Sequence, residues 1–299
     1  MSSPAPPHPI LRFAPSPNGR LHLGHAYSAL VGWHAARAAG GTWLLRIEDI
    51  DPVRSRPEFV AGIEDDLTWL GLDWPRPVLQ QSQRLELYAN AAGVLRDRTF
   101  LYACFCSRKS VAEQADGRDP DGAPLYPGTC RHRPADEVVA RLAQGEPVQW
   151  RLAMDRAIRS TGPLRIDFIP GFERHGRLEA HASRPADPAR WGDVVLVRKD
   201  VPTSYHLSVV IDDADQGISH VVRGQDLEAA TDLHVLLQAL LGLPHPVYAH
   251  HRLLVDSSGE KLAKSRGSQS LSGLRAAGWT PEDVRRQLGF SAESVPPSP

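Results

Sequence analysis

Short apolar runs alternate with longer amphipathic stretches over the first hundred residues. Ile10-Leu11-Arg12-Phe13-Ala14 and Thr42 to Asp49 read as strands. Between them lie a Pro/Gly loop, Pro15 to Gly19, and a helix-like run, Ala26 to Ala39, closed by Gly40-Gly41. Strand, loop, helix and strand in that order predict a right-handed parallel unit. Glu58 to Leu70 carries Phe59, Ile63, Leu67 and Leu70 on one stripe, which predicts a helix, and Leu85 to Leu95 predicts another. Periodicity then fades. Ala115 to Pro134 and Pro170 to Arg190 are rich in turn residues, with one strand-like segment, Val148 to Leu152, between them. Regular patterns resume at Asp193 to Val197. Tyr205 to Ile211 and Ile218 to Val222 predict two further strands. Leu227 to Leu241 predicts a strong helix stopped by Gly242 and Pro244. A small helical module is expected over Gln269 to Leu288, followed by disorder over Ser291 to Pro299. The pattern is that of an α/β chain whose main sheet is interrupted. Residues 1–103 would form its first half, 104–191 an insertion, 192–245 the second half, and 246–299 a loop with a helical module and tail.

Composition narrows the setting. At 41% hydrophobic and 23% charged, the chain is ordinary for a soluble protein. No apolar stretch approaches the ~18 residues that a membrane helix needs. Met1 to Pro9 lacks a charged-then-apolar leader pattern, and three cysteines argue against a disulfide framework. A cytoplasmic location is expected. A net charge of −1 neither demands nor excludes nucleic acid. Arg131, Arg133, Arg151, Arg156, Arg159 and Arg165 could face phosphates, although Arg is abundant everywhere in this chain.

Candidate chemistry sits in two short strings. His22-Leu23-Gly24-His25 follows the first loop, where free backbone N–H groups and a helix dipole favour anions. Its two imidazoles can donate to phosphate oxygens, and Gly24 lets a flat base approach the backbone. Lys261-Leu262-Ala263-Lys264-Ser265 holds two of only four lysines, against thirty arginines. A compact ammonium in so Arg-biased a chain suits a phosphate contact. Activation of a carboxylate at the α-phosphorus of ATP needs such positioning and charge, with no protein nucleophile. Cys104-Phe105-Cys106 and Cys130 supply three thiols within 27 residues, and a tetrahedral metal site would need a fourth donor. On ligand chemistry alone that donor would be His132.

Taken together, Arg12 to Gly19 with His22 to His25, Arg46 to Asp51, Gln81 to Arg84, His220 to Gly224 with Asp226-Leu227, and the lysine loop resemble the class I glutamyl-tRNA synthetases. The likeness covers roughly residues 10 to 270. Ile50 stands where that family usually has Thr, and Ala263 where it has Ser. The resemblance implies a Rossmann-like doubly wound parallel sheet with a zinc-bearing inserted domain. It implies that Glu48 binds the α-amino group of glutamate, that Arg12 and Arg223 serve its carboxylates in either order, and that Tyr205 closes a pocket shared with Phe13, Ala14, Pro15 and Ser16. His22, Gly24, His25 and Lys264 would hold ATP, taken with Mg²⁺. His22, His25, Lys261 and Lys264 would be the catalytic set. It favours Tyr126 over His132 as the partner of Cys104, Cys106 and Cys130 around one structural Zn²⁺.

Only 34 residues follow Ser265, fewer than the ~50 a domain needs, so no anticodon-binding domain is expected. That layout resembles the glutamyl-queuosine tRNA(Asp) synthetases. The expected reaction is tRNA-independent formation of glutamyl-adenylate, then transfer to queuosine in the tRNA(Asp) anticodon stem-loop, by a monomer. A truncated enzyme charging the 3′ end of tRNA(Glu), and a non-catalytic paralogue that binds tRNA or an amino acid, are the alternatives.

Overall fold

The computed structural model describes residues 8–172, 176–179, 181–254 and 269–290. Its strands, in chain order, are β1 (Ile10–Phe13), β2 (Thr42–Ile47), β3 (Leu79–Gln80), β4 (Leu101–Cys104), β5 (Gln149–Leu152), β6 (Arg165–Phe168), β7 (Ala182–Pro185), β8 (Val195–Val197), β9 (His220–Gly224) and β10 (Val247–His251).

The expected parallel opening unit is present. β1 pairs with β2 in parallel, Ile10 opposite Thr42 and Phe13 opposite Leu45, and β3 extends that sheet from β2. The helix Leu23–Ala38 joins the two strands and buries Ala26, Ala29, Leu30, Trp33 and Ala36. Leu11, Leu45 and Ile47 are buried too, as expected of parallel strands covered on both faces.

A second sheet has the order β7-β6-β10-β9, with β10 parallel to both β6 and β9. The resemblance implied a single doubly wound parallel sheet, whereas the hydrogen bonding divides its parallel strands between two sheets. The sheets abut where Ser219 donates its N–H to the Ile10 carbonyl at 3.0 Å. Ile10 N–H goes instead to Ser219 Oγ at 2.8 Å, so a side chain interrupts the ladder between β1 and β9.

Two other expectations need correction. Tyr205 to Ile211 is not a strand but the first part of a helix, Tyr205–Asp215. Every residue from Leu207 to Asp213 is buried, which erases the one-sided periodicity of a surface helix. The segment from Ala115 to Arg190 also holds more order than one strand-like stretch. Helices Ala135–Ala143 and Met154–Thr161 flank β5, between the two turn-rich stretches, while β7 forms within Pro170 to Arg190 and joins the second sheet with β6, beside β10. β4, β5 and β8 make a separate antiparallel sheet.

The helix Ala230–Leu241 ends at Gly242, which takes a left-handed φ of 68°. The expected C-terminal module is two short helices, Leu271–Ala276 and Pro281–Gln287. Their Leu271, Leu274, Val284 and Leu288 enter the core that also holds Leu21 and Leu30. Ser291 to Pro299 lie outside the described residues. Among the described residues no helix is long and apolar enough to cross a membrane.

Candidate active site

The carboxyl ends of β1, β2, β9 and β10 converge on one cleft of about 680 Å³. Such strand ends are where ligands of open parallel sheets bind. The last residues of β1, Arg12 and Phe13, and the loop Ala14, Pro15 and Ser16 line it, as does Glu48 just beyond β2. Tyr205 and Arg223 close the far side, and His22, Gly24 and His25 form one end. Lys261 and Lys264 lie outside the described residues.

The two histidines build the start of the first helix. His22 is its N-cap and accepts the Gly24 N–H on Nδ1 at 3.0 Å. His25 Nδ1 accepts the His22 N–H at 3.2 Å. Imidazole thus replaces the usual Ser or Asp of a reciprocal cap. With both Nδ1 atoms accepting, each ring carries its proton on Nε2 as a donor. A Cβ on Gly24 would sit 2.9 Å from His22 Cε1, so a side chain there would displace the ring.

Charge is concentrated below the cleft. Asp213 accepts from Arg12 Nε at 2.9 Å and from Arg46 Nη2 at 2.8 Å. Arg46 is fully buried and also bonds Gln216 Oε1 at 2.9 Å, with Glu48 Oε1 at 3.5 Å. Burial pushes the Glu48 carboxyl up to about 7, against the pull of Arg46 and Arg12. Burial would raise Asp213 as well, but its two guanidinium partners hold it below its ordinary value.

Arg223 has a different environment. It is 4% exposed, and its nitrogens bond His234 Nδ1 at 3.1 Å and Thr231 Oγ1 at 2.7 Å, both neutral groups. Among the described residues no carboxylate makes an ion pair with it. The set therefore holds three guanidinium groups, Arg12, Arg46 and Arg223, against the carboxylates Asp213 and Glu48. An arrangement of this kind can take an α-amino acid that carries a second carboxylate.

Sequence reasoning placed Arg46 in a motif but gave it no role, and it missed Asp213, Thr231, His234 and the cleft-lining Tyr27 and His251. One signal was available: adjacent Asp212 and Asp213 in an otherwise apolar run can be buried only beside cations.

The cysteines form a second centre. The three sulfurs lie within 4.8 Å of one another. Tyr126 Oη stands 3.4 Å from Cys104 Sγ and 3.6 Å from Cys106 Sγ, and accepts the Cys130 N–H at 2.8 Å. His132 is exposed and is not grouped with these sulfurs. Cys106 and Cys130 sulfurs are 3.6 Å apart, too far for a disulfide. Burial would raise the Cys130 thiol, but hydrogen bonds from Arg133 and Tyr126 help to draw it down to about 6. Three converging sulfurs and a phenol oxygen suit a borderline-soft divalent ion. Several arginines considered for phosphate are engaged internally. Arg131 pairs with Asp193 and Asp155, Arg133 with Glu137, and Arg151 donates to Cys104 Sγ at 3.3 Å. Arg156 and Arg159 remain exposed.

Comparison with known proteins agrees with this geometry. Residues 10–294 match the family described as tRNA synthetases class I (E and Q), catalytic domain. A glutamyl-Q tRNA(Asp) synthetase of Rhodobacter capsulatus is 49% identical over 94% of this chain and 100% of the relative. One of Symbiobacterium thermophilum is 42% identical over 93% of this chain and 85% of the relative. The solved glutamate tRNA ligase of Elizabethkingia meningosepticum, in complex with its amino acid, superposes with a TM-score of 0.72 at 26% identity. The match covers 94% of this chain but only 60% of that enzyme. From the family match and these likenesses, the chain belongs to the class I tRNA synthetases of the E and Q type and is an ATP-dependent ligase.

Proposed function

We propose that the protein activates L-glutamate with ATP, without tRNA, and transfers the glutamyl group to queuosine in the anticodon loop of tRNA(Asp). The observation that carries the amino-acid half is Arg223, a buried cation without a carboxylate partner among the described residues. Glutamate carries one net negative charge and would neutralise it. The names of relatives that this chain spans at 85–100% of their length support the acceptor half.

In this reading Glu48 takes the α-ammonium, and Arg12 and Arg223 take the two carboxylates. ATP enters as its Mg²⁺ complex along His22, Gly24 and His25. An oxygen of the glutamate α-carboxylate attacks the α-phosphorus, and the bond to pyrophosphate breaks. The Nε2–H groups of His22 and His25, with Lys261 and Lys264, offset charge on the departing phosphates. A hydroxyl of the acceptor then attacks the mixed-anhydride carbonyl, forming the ester and releasing AMP. A vestibule of about 220 Å³, lined in part by Asp51, Arg54 and Arg198, shares Ser16, Glu48 and Tyr205 with the cleft and gives the acceptor a route. Cys104, Cys106, Tyr126 and Cys130 would hold one Zn²⁺ that fixes the end of β4 to the loop carrying Cys130.

The test is transfer of labelled glutamate to tRNA from cells with and without queuosine, with fractionation of the products. Label on tRNA(Asp) only when queuosine is present is the expected result. Label on tRNA(Glu) regardless of queuosine would make the protein a charging enzyme. Absence of both label and glutamate-dependent pyrophosphate exchange would leave a binding protein.

A further inference from the structure

Arg223 is held in a manner unlike the other buried arginines around the cleft. Arg12 and Arg46 share Asp213, whereas Arg223 meets an imidazole and a hydroxyl. The donor inventory fixes how these groups are protonated. A guanidinium only donates, so His234 Nδ1 must accept and its proton must sit on Nε2. From there it is donated to His206 Nδ1, 3.2 Å away. The Thr231 oxygen accepts from Arg223 and lies 3.4 Å from His250 Nε2. Every member of this chain is therefore a neutral partner that sets the guanidinium plane without cancelling its charge. Burial and the nearby Arg223 charge keep His234 well below its ordinary value, and the same causes bring His206 down to about 4.

We propose that His234 is a positioning and specificity-determining residue: it fixes Arg223 through a neutral acceptor, so that the site takes a dicarboxylic amino acid and refuses its amide. The proposal rests on the reading that Arg223, rather than Arg12, meets the side-chain carboxylate of the substrate. A carboxylate at position 234 would hold the guanidinium equally well but would already pair its charge. The substrate would then have to compete with an internal counter-ion. With the neutral acceptor, glutamine would leave a buried cation unpaired, and an unpaired buried charge is what a site rejects most strongly.

The experiment is ATP–pyrophosphate exchange by the full-length protein, titrated separately with L-glutamate and L-glutamine, with thermal midpoints recorded for each variant. His234→Gln keeps a neutral acceptor and should hold the glutamate KM within about threefold of the parent, since the geometry survives without a charge change. His234→Glu should raise that KM by about 30-fold or more, the scale of one charge-assisted pair, while kcat and the midpoint change little. The preference for glutamate over glutamine should fall by a similar factor. His234→Leu adds no charge and removes the acceptor. It should raise KM by about tenfold, one lost hydrogen bond to a charged group, with His234→Gln as its rescue. If His234→Glu does not fold, the comparison of His234→Leu with His234→Gln decides the matter. Equal glutamate KM values across the folded variants would overturn the proposal. Arg223→Gln separates the two layers. If it leaves the glutamate dependence intact, the underlying reading of Arg223 is wrong. If it abolishes that dependence while the His234 variants behave alike, only the role of His234 is lost.

Discussion

The cleft and the cysteine centre are assembled from opposite kinds of contact. Cys104, Cys106, Tyr126 and Cys130 meet within 27 residues of chain. The cleft is closed by pairs such as Arg12–Asp213, 201 residues apart, and His251–Ser28, 223 apart. None of the hydrogen-bond partners of the cysteines, which include Gln149, Arg151 and Arg133, lines the cleft. One centre can therefore fail locally, whereas the other fails with the whole fold.

Breaking the long-range network should have the largest effect. Asp213→Asn leaves two buried guanidinium groups short of a carboxylate, and should cost about 3–5 kcal/mol in denaturant unfolding, together with glutamate-dependent exchange. A loss under about 1 kcal/mol would mean that the network is not the keystone of the cleft. The next effect is local by contrast. On the zinc reading proposed above, Cys104→Ser should lower the zinc content found by metal analysis, yet leave exchange within about threefold, because separated sites act nearly independently. A collapse of exchange in step with metal loss would erase the distinction between the two centres.

A pH experiment sharpens the cleft side. Glu48 has a folded pKa of about 7, raised chiefly by burial, so it is carboxylate above that pH and neutral below it. Only the carboxylate can pair with an ammonium. The glutamate KM should therefore rise on acidification, by about tenfold from pH 8 to pH 6, as expected for one group that must be ionised. Glu48→Gln should raise KM at all pH values and flatten this dependence. A more confined effect is expected from Gly24→Ala. Its Cβ would meet His22 Cε1 at 2.9 Å and turn the ring, raising the KM for ATP by about three- to tenfold, with the glutamate KM unchanged.

The same contrast explains what could be read in advance. β1, the first helix and β2 were legible because each has one face or a short run that must be buried. The cysteines were legible because sequence neighbours are spatial neighbours. The helix Tyr205–Asp215 was not, because burial on every side makes its hydrophobic run resemble a strand. Its Asp212 and Asp213 find their cations 128 and 201 residues away, and no local pattern records such a partner. Arg223 could be singled out by likeness, but its neutral partners Thr231 and His234 lie on another element and emerge only from the packing.

One feature at the opposite end of the cleft bears on timing. His22 forms an isolated bridge with Ser270, and Leu271 donates its N–H to the Leu21 carbonyl at 2.9 Å. The backbone that sets the first phosphate-facing histidine is thus tied down by residues made some 250 positions later. A nascent chain can complete the strand–helix–strand unit early, but it acquires a fastened His22 only after synthesis has passed Leu271.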